Sequence, residues 1–288
     1  MPESSWFLYS LFATICFGVG GALMKMPAAR NQNRFVMAFW SVGFPFLLSL
    51  IVFWNHLSAT TSRLVWLAII WALFFSVVRI LYIQAFHYAD TNVVTPVTNT
   101  INIILTVASG LLIFSDRLSV LEFFGILLAF ATLTLFAFGK QSFNFSRNLL
   151  LLFFVISICS VGYKIFQKIG VDAGDLYAFQ ILQFGFATVF LFLLFAFFHR
   201  NEIAKWHSHL RGPGIISGCM MGLLSFAGGI SYNIALSRGE FTLVNAIHSM
   251  YLPVTIFTGY LLFHEQFTKR KALLLFLAIC SIVLIRLG

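Results

Sequence analysis

The chain is a succession of apolar runs, most of them about twenty residues long and nearly free of charge. A helix of about twenty residues spans the hydrocarbon core of a bilayer. The runs are too long and too continuously apolar for membrane strands, which alternate in character over about ten residues. Hydrophobic residues make up 60% of the sequence and charged residues only 9%, well below the quarter or so that coats a water-facing domain. In lipid every backbone N–H and C=O must pair within the protein, so only helices and closed barrels cross it. Run length selects helices, and the expected fold is an all-α integral membrane protein.

Ten spans are expected, at roughly 6–24, 35–54, 64–86, 92–114, 119–138, 148–167, 176–198, 213–236, 241–263 and 271–287. No polar stretch between them is long enough for a soluble domain. The first run has no basic segment before it and further spans after it, so it reads as an uncleaved span and not a signal peptide. Cys16, Cys159, Cys219 and Cys280 lie inside apolar runs without metal or redox spacing, and read as packing residues. No metal or cofactor is expected. A membrane-embedded enzyme would need a converging nucleophile, base or ligand set. The close pair His207 and His209, beside Trp206, has no carboxylate cluster with it. The chain therefore does not read as an enzyme.

The halves resemble each other. Tyr82 to Val94 reads YIQAFHYADTNVV, and Tyr232 to Val244 reads YNIALSRGEFTLV. At an offset of 150 (82 to 232), Tyr82 meets Tyr232, Ala85 meets Ala235 and Asp90 meets Glu240. Further on, Thr95 meets Asn245, Thr98 meets His248 and Asn99 meets Ser249. After a one-residue slip, Asp116 meets Glu265 and Ser119 meets Thr268. Residues 1–140 and 141–288 thus read as two five-helix repeats. Five is odd, so the second repeat would sit upside down relative to the first, the arrangement that puts a shared site near the midplane of many secondary transporters.

These stretches, together with YLPVTIFTGYLLFHE from Tyr251 to Glu265 and the spacing from Asp116 to Gly125, resemble the drug/metabolite transporter (DMT) superfamily, in its EamA-type ten-helix branch. The resemblance covers the whole chain. It departs at Leu274, where the second acid-to-glycine spacing would require glycine, and in the first repeat, which has Pro96 but no proline matching Pro253. It implies a secondary transporter and is uninformative about the solute.

Polar residues inside apolar runs are the candidate substrate-binding groups. Arg79 lies roughly 10 Å inside the nearer end of the third span, where a lipid-facing guanidinium is costly. Its rival role is a tie to backbone carbonyls. Lys164 shares a helix face with Ser157, Ser160 and Lys168 by spacing of three to four, about a turn from the expected end of its span, where snorkelling competes with function. Lys25 and Lys168 end their helices and suit lipid headgroups. Thr95, Asn99, Asn102 and Thr106 form a polar stripe, with Asn245, His248 and Ser249 at matching places in the other half. Such groups often only bond neighbouring helices. His248 is also a candidate proton carrier. The repeated tyrosines Tyr82 and Tyr232 join the set. Glycines Gly214, Gly218 and Gly222 read as helix-packing residues, Gly228 and Gly229 as residues bordering a cavity, and Pro253 as a hinge.

No acid falls near the centre of a span, whereas carriers of cationic drugs usually place one there. The expected solute is a small polar metabolite, anionic or zwitterionic like an amino acid, moved by alternating access. The alternatives are an exporter of cationic or amphipathic compounds and a membrane scaffold. The expected partners are membrane lipids, the small-molecule solute and a candidate coupling proton, with no nucleic acid. The expected location is the cytoplasmic (inner) membrane of a bacterium. The resemblance implies cytoplasmic termini. The loop basic residues, concentrated on the face opposite the termini, imply the reverse by the positive-inside rule.

Overall fold

In a computed structural model the described residues are 5–26, 33–88, 91–137, 147–198, 213–264, 266 and 268–288. Asp90, Glu265 and the His207–His209 loop lie outside them. The helices are α1 (Ser5–Leu23), α2 (Arg34–Phe53), α3 (Ser62–Tyr88), α4 (Thr91–Ser109), α5 (Val120–Ala137), α6 (Arg147–Asp172), α7 (Leu176–Phe198), α8 (Pro213–Arg238), α9 (Phe241–Ser249), α10 (Tyr251–Phe263) and α11 (Lys269–Leu287). A 3-10 turn, Trp54–Ala59, follows α2, and a π turn, Gly110–Phe114, prolongs α4.

The protein is an integral, multi-pass membrane protein. Among the described residues nine segments are long and apolar enough to cross a membrane, α9 and α10 counting as one. The tenth, α11, has 19 residues but carries Lys269, Arg270 and Lys271 at its start and Arg286 near its end. Its charges sit where the span meets the two interfaces, and the stretch between them is apolar.

Helix starts are set by local chemistry. Ser119 and Glu122 form a capping box at α5: the Ser119 amide donates to Glu122 Oε2 at 2.6 Å, and the Glu122 amide to Ser119 Oγ at 3.2 Å. Asn33 Oδ1 accepts from Phe35 and Val36 at α2, and Asp175 Oδ1 from Tyr177 and Ala178 at α7. The ninth span breaks at Met250 and not at Pro253. A proline lacks the N–H that would bond four residues back, and Pro253 instead occupies the first turn of α10, where that N–H is dispensable.

The sixth span runs to Asp172, five residues past its expected end. Lys168 reads as the end of its helix, but Gln167 bonds Trp71 and Asn233, Lys168 bonds the Leu236 carbonyl, and Gly170 packs on Phe179. This corrects the placement of Lys164, which lies about 12 Å inside α6 and is 5% exposed, too buried to snorkel. Lys168 is corrected too: its Nζ donates to the Leu236 carbonyl at 2.7 Å and to Asp172 at 3.2 Å, not to a headgroup.

Packing between helices is equivalent under exchange of the halves. As α1 packs on α8, so α6 packs on α3; as α2 packs on α8, so α7 packs on α3; as α1 packs on α10, so α6 packs on α4. The pairs α2–α7 and α5–α11 close the molecule across the halves. Among the described residues only Ser115 and His264 are non-glycine residues with positive φ, at 56° and 52°. They end α4 and α10 at an offset of 149 (115 to 264), the one that matches Asp116 with Glu265 in the sequence.

Candidate functional site

A cavity of about 630 Å³ lies between the halves. Counting crossings from the N-terminus, it opens on the face opposite the termini, where Lys25, Met37, Ala137 and Lys271 reach its wall. All the expected site residues line it except Asn245: Arg79, Tyr82, Thr95, Asn99, Asn102, Lys164, Tyr232, His248 and Ser249. Asn245, fully buried, stands behind Tyr232, whose hydroxyl donates to its Oδ1 at 2.5 Å. In the first half the Tyr82 hydroxyl pairs with Thr98 at 2.7 Å. Each repeated tyrosine thus ties its helix to the next one. Gly229 lines the cavity, while Gly228 packs on Cys16 and Phe17 of α1. Gly218 and Gly222 lie against Trp40, Phe44 and the backbone of α2.

Arg79 lies across the Phe75 ring, 5.0 Å from its centroid, within electrostatic range of Tyr163, Tyr251 and Tyr82. Neither Arg79 nor Lys164 has a hydrogen-bond or ion-pair partner among the described residues. Lys164 is within electrostatic range of His248. The imidazole is held by rings, with Tyr232 at 4.6 Å, Phe17 at 5.0 Å and Tyr251 at 5.7 Å between centroids. Its Nδ1, like Asn99 Nδ2 and Asn102 Oδ1, is buried without a hydrogen-bond partner among the described residues. Asn99 Oδ1 accepts from the Tyr251 hydroxyl at 3.0 Å. Among the described residues no aspartate or glutamate lines the cavity.

The floor of the cavity is a buried polar chain. Trp71 Nε1 donates to Gln167 Oε1 (3.1 Å), Gln167 Nε2 to Asn233 Oδ1 (2.7 Å), and Asn233 Nδ2 to Gln180 Oε1 (2.7 Å), which also accepts from Gln183 (2.8 Å). It joins α3, α6, α8 and α7, and Trp71, Gln167 and Gln183 face the cavity. Sequence reasoning missed this chain. The available signal was Gln167 on α6, Asn233 on α8, and Gln180 and Gln183 one turn apart on α7, all within apolar runs.

Beyond the floor, the face bearing the termini is shut. Phe114 and Phe241 lie 4.6 Å apart. Asp116 Oδ2 accepts the Thr242 amide at 2.7 Å, so a carboxylate of the first half caps α9 of the second. The N-cap residue of α9, Glu240, gives no side-chain cap bond. Gly110 must lack a side chain, because a Cβ there would meet Thr242 Oγ1 and the Asp116 carboxylate. Burial, and then the Asp116 carboxylate, push the Glu240 carboxyl above its usual range, against the opposing pull of the Arg117 amide. Arg238 donates to Ser5 at 3.0 Å and lies over Tyr9. One face is open and the other latched.

The family model of EamA-like transporters matches residues 147–287. No curated protein matches the chain. A solved crystal structure aligns over 98% of this chain and 98% of its own, with a TM-score of 0.72 and 13% sequence identity, a likeness of fold alone.

Proposed function

We propose, from the match of residues 147–287 to the EamA-like transporter family, that the protein is a membrane transporter of the DMT type and a secondary carrier of a small anionic or zwitterionic metabolite. One observation carries the choice of charge. The cavity wall holds Arg79 and Lys164 without partners and no acid among the described residues. An unpaired cation in a low-dielectric site is costly, and an arriving carboxylate or phosphate supplies the missing charge. Arg79 offers it a bidentate fork. Asn99 Nδ2 can donate to its remaining oxygens, and Tyr163 and Tyr251 give its carbon body aromatic walls.

The mechanism is alternating access between inverted halves. Its support is the exchange of packing partners between halves and a cavity open at one end and latched at the other. The carrier acts in the cytoplasmic membrane of a bacterium. The test is uptake into proteoliposomes of labelled gluconate, malate, phenylalanine and tetraphenylphosphonium, by wild type and Arg79→Gln. Anion or zwitterion uptake that Arg79→Gln abolishes in a folded protein supports the proposal. Preference for tetraphenylphosphonium, unchanged in Arg79→Gln, rejects it in favour of a cation exporter, which the aromatic walls would serve.

A further inference from the structure

We infer that Lys164, with His248 beside it, is the proton-carrying site of this transporter, so that an anion and a proton load the cavity together. This rests on the anion reading above and adds the coupling ion to it. The argument begins with which wall groups can exchange a proton. Arginine keeps its charge throughout the accessible pH range, amides do not titrate, and phenols do so near pH 10 in water. Lys25 and Lys271 stand at the mouth. Within the cavity this leaves the Lys164 amine, the His248 imidazole and the Cys16 thiol, and of these only the amine and the imidazole gain a positive charge on protonation, as balancing an arriving anion requires.

Among the described residues their surroundings carry no negative charge. The charged or titratable groups facing Lys164 from the helices around it are Arg79 and Tyr82 on α3, Tyr163 on α6 itself, Tyr232 on α8, His248 on α9 and Tyr251 on α10. From α4 come Asn99 and Asn102, from α7 Gln183, and from α1 Cys16 and, at the mouth, Lys25. Lys164 is 5% exposed and its amine makes no hydrogen bond or ion pair to any described residue, while His248 Nδ1 is buried and unpartnered among the described residues.

The Lys164 amine lies within electrostatic range of the His248 imidazole. Tyr251 connects this pair to Arg79, being within range of Arg79 and in ring contact with His248.

A buried cation without a counter-charge is unfavourable, and Lys164 is 5% exposed in a cavity with no acid among its described lining residues. Arg79 cannot shed its charge and Lys164 can. In the empty cavity the Lys164 N–H bond breaks, the proton leaves to water and the electron pair stays on Nζ. When a monovalent anion binds, that pair takes a proton from water and the loaded site gains no net charge. Linkage makes this reciprocal, so the anion binds more tightly as pH falls.

The experiment uses labelled gluconate and malate with the wild-type protein and Lys164→Arg, which keeps a charge but cannot release it. Wild type is expected to exchange a probe anion and to concentrate gluconate about tenfold per pH unit of imposed gradient. Lys164→Arg is expected to lose accumulation, its internal gluconate reaching only the level found without a pH gradient, whatever rate of exchange the variant retains. Should that variant not fold, adding the probe anion to weakly buffered wild-type protein in detergent reads the same property, with about one proton taken up per gluconate bound. Gradient-driven accumulation by Lys164→Arg, or anion binding without proton uptake by wild type, overturns the assignment of Lys164 and leaves anion transport standing. No exchange of either probe by wild type overturns both.

Discussion

Replacing Asp116 with alanine should open the face that bears the termini. The carboxylate makes a 2.7 Å hydrogen bond to the second amide of α9, at a helix start whose own N-cap side chain contributes none. A charge-assisted bond of this kind is worth about 1.5–3 kcal/mol when buried, and a helix cap about 1 kcal/mol. Asp116 is half-buried, so we take about 1–2 kcal/mol. If the bond exists only in the latched state, its loss shifts the opening equilibrium by the whole amount, roughly 5- to 30-fold. The reporter is a single cysteine at Ala235, fully buried beneath the latch beside Phe241 and Val244, with Cys16, Cys159, Cys219 and Cys280 replaced by alanine. Its labelling rate by an impermeant maleimide added on the termini side should rise by that factor. Asp116→Asn, which keeps an acceptor oxygen, should rise less. Glu240→Gln should slow labelling at neutral pH by removing a charge beside Asp116. In wild type the raised Glu240 carboxyl means that latching strengthens as pH falls through its folded value and weakens as pH rises through it. An unchanged rate in folded Asp116→Ala would refute the latch.

Other outcomes test the frame around the cavity. In Gly222→Ala the new Cβ would meet Phe44 Cβ at 2.7 Å and the Trp40 carbonyl at 3.0 Å, so melting should show a loss of about 1–3 kcal/mol; an unchanged melting temperature would mean that α2 and α8 are not held that close. Asn233→Leu strands the Gln167 donor and removes the donor to Gln180, at about 1–3 kcal/mol per stranded group; thermal unfolding in detergent reads it, and a neutral result would deny the chain a stabilising role. Burial raises the Asp175 carboxyl, but bonds from the Ala178 amide, His56 and the Tyr177 amide outweigh it and hold it below its usual range. The stability this supplies is present above about pH 4 and is lost as pH falls through the folded value. Asp175→Asn should therefore lose stability at neutral pH and unfold with a shallower acid dependence than wild type, and identical acid profiles would contradict this.

The spans were legible because a bilayer imposes one length on every crossing, and each described span lies within a few residues of its expected place. Arg79 was legible because an ion in the interior of an apolar run has no bland location. The depth of Lys164 was misjudged for the opposite reason. Lys168 looked like the end of the helix, and only tertiary contacts to Asn233 and the Leu236 carbonyl reveal that the helix continues. The break at Met250 shows Pro253 acting through the helix start it favours, which a bare sequence does not separate from a mid-helix kink. Asn245 was placed in the wall by its repeat match to Thr95, yet Tyr232 stands in front of it. The amide chain under the cavity was unreadable because each member is ambiguous alone. A buried glutamine means little until its partner three helices away is known.

Cys16 provides the most direct test of a single anion-binding cavity reached alternately from the two faces. It lines the cavity and can stand as the only thiol once Cys159, Cys219 and Cys280 are alanine. Its modification by an impermeant methanethiosulfonate is measured in vesicles of both orientations, with and without gluconate, malate or tetraphenylphosphonium. We predict modification from either face, slowed by an anion and not by the cation. Modification from one face only under every condition, or protection by tetraphenylphosphonium alone, would contradict the account.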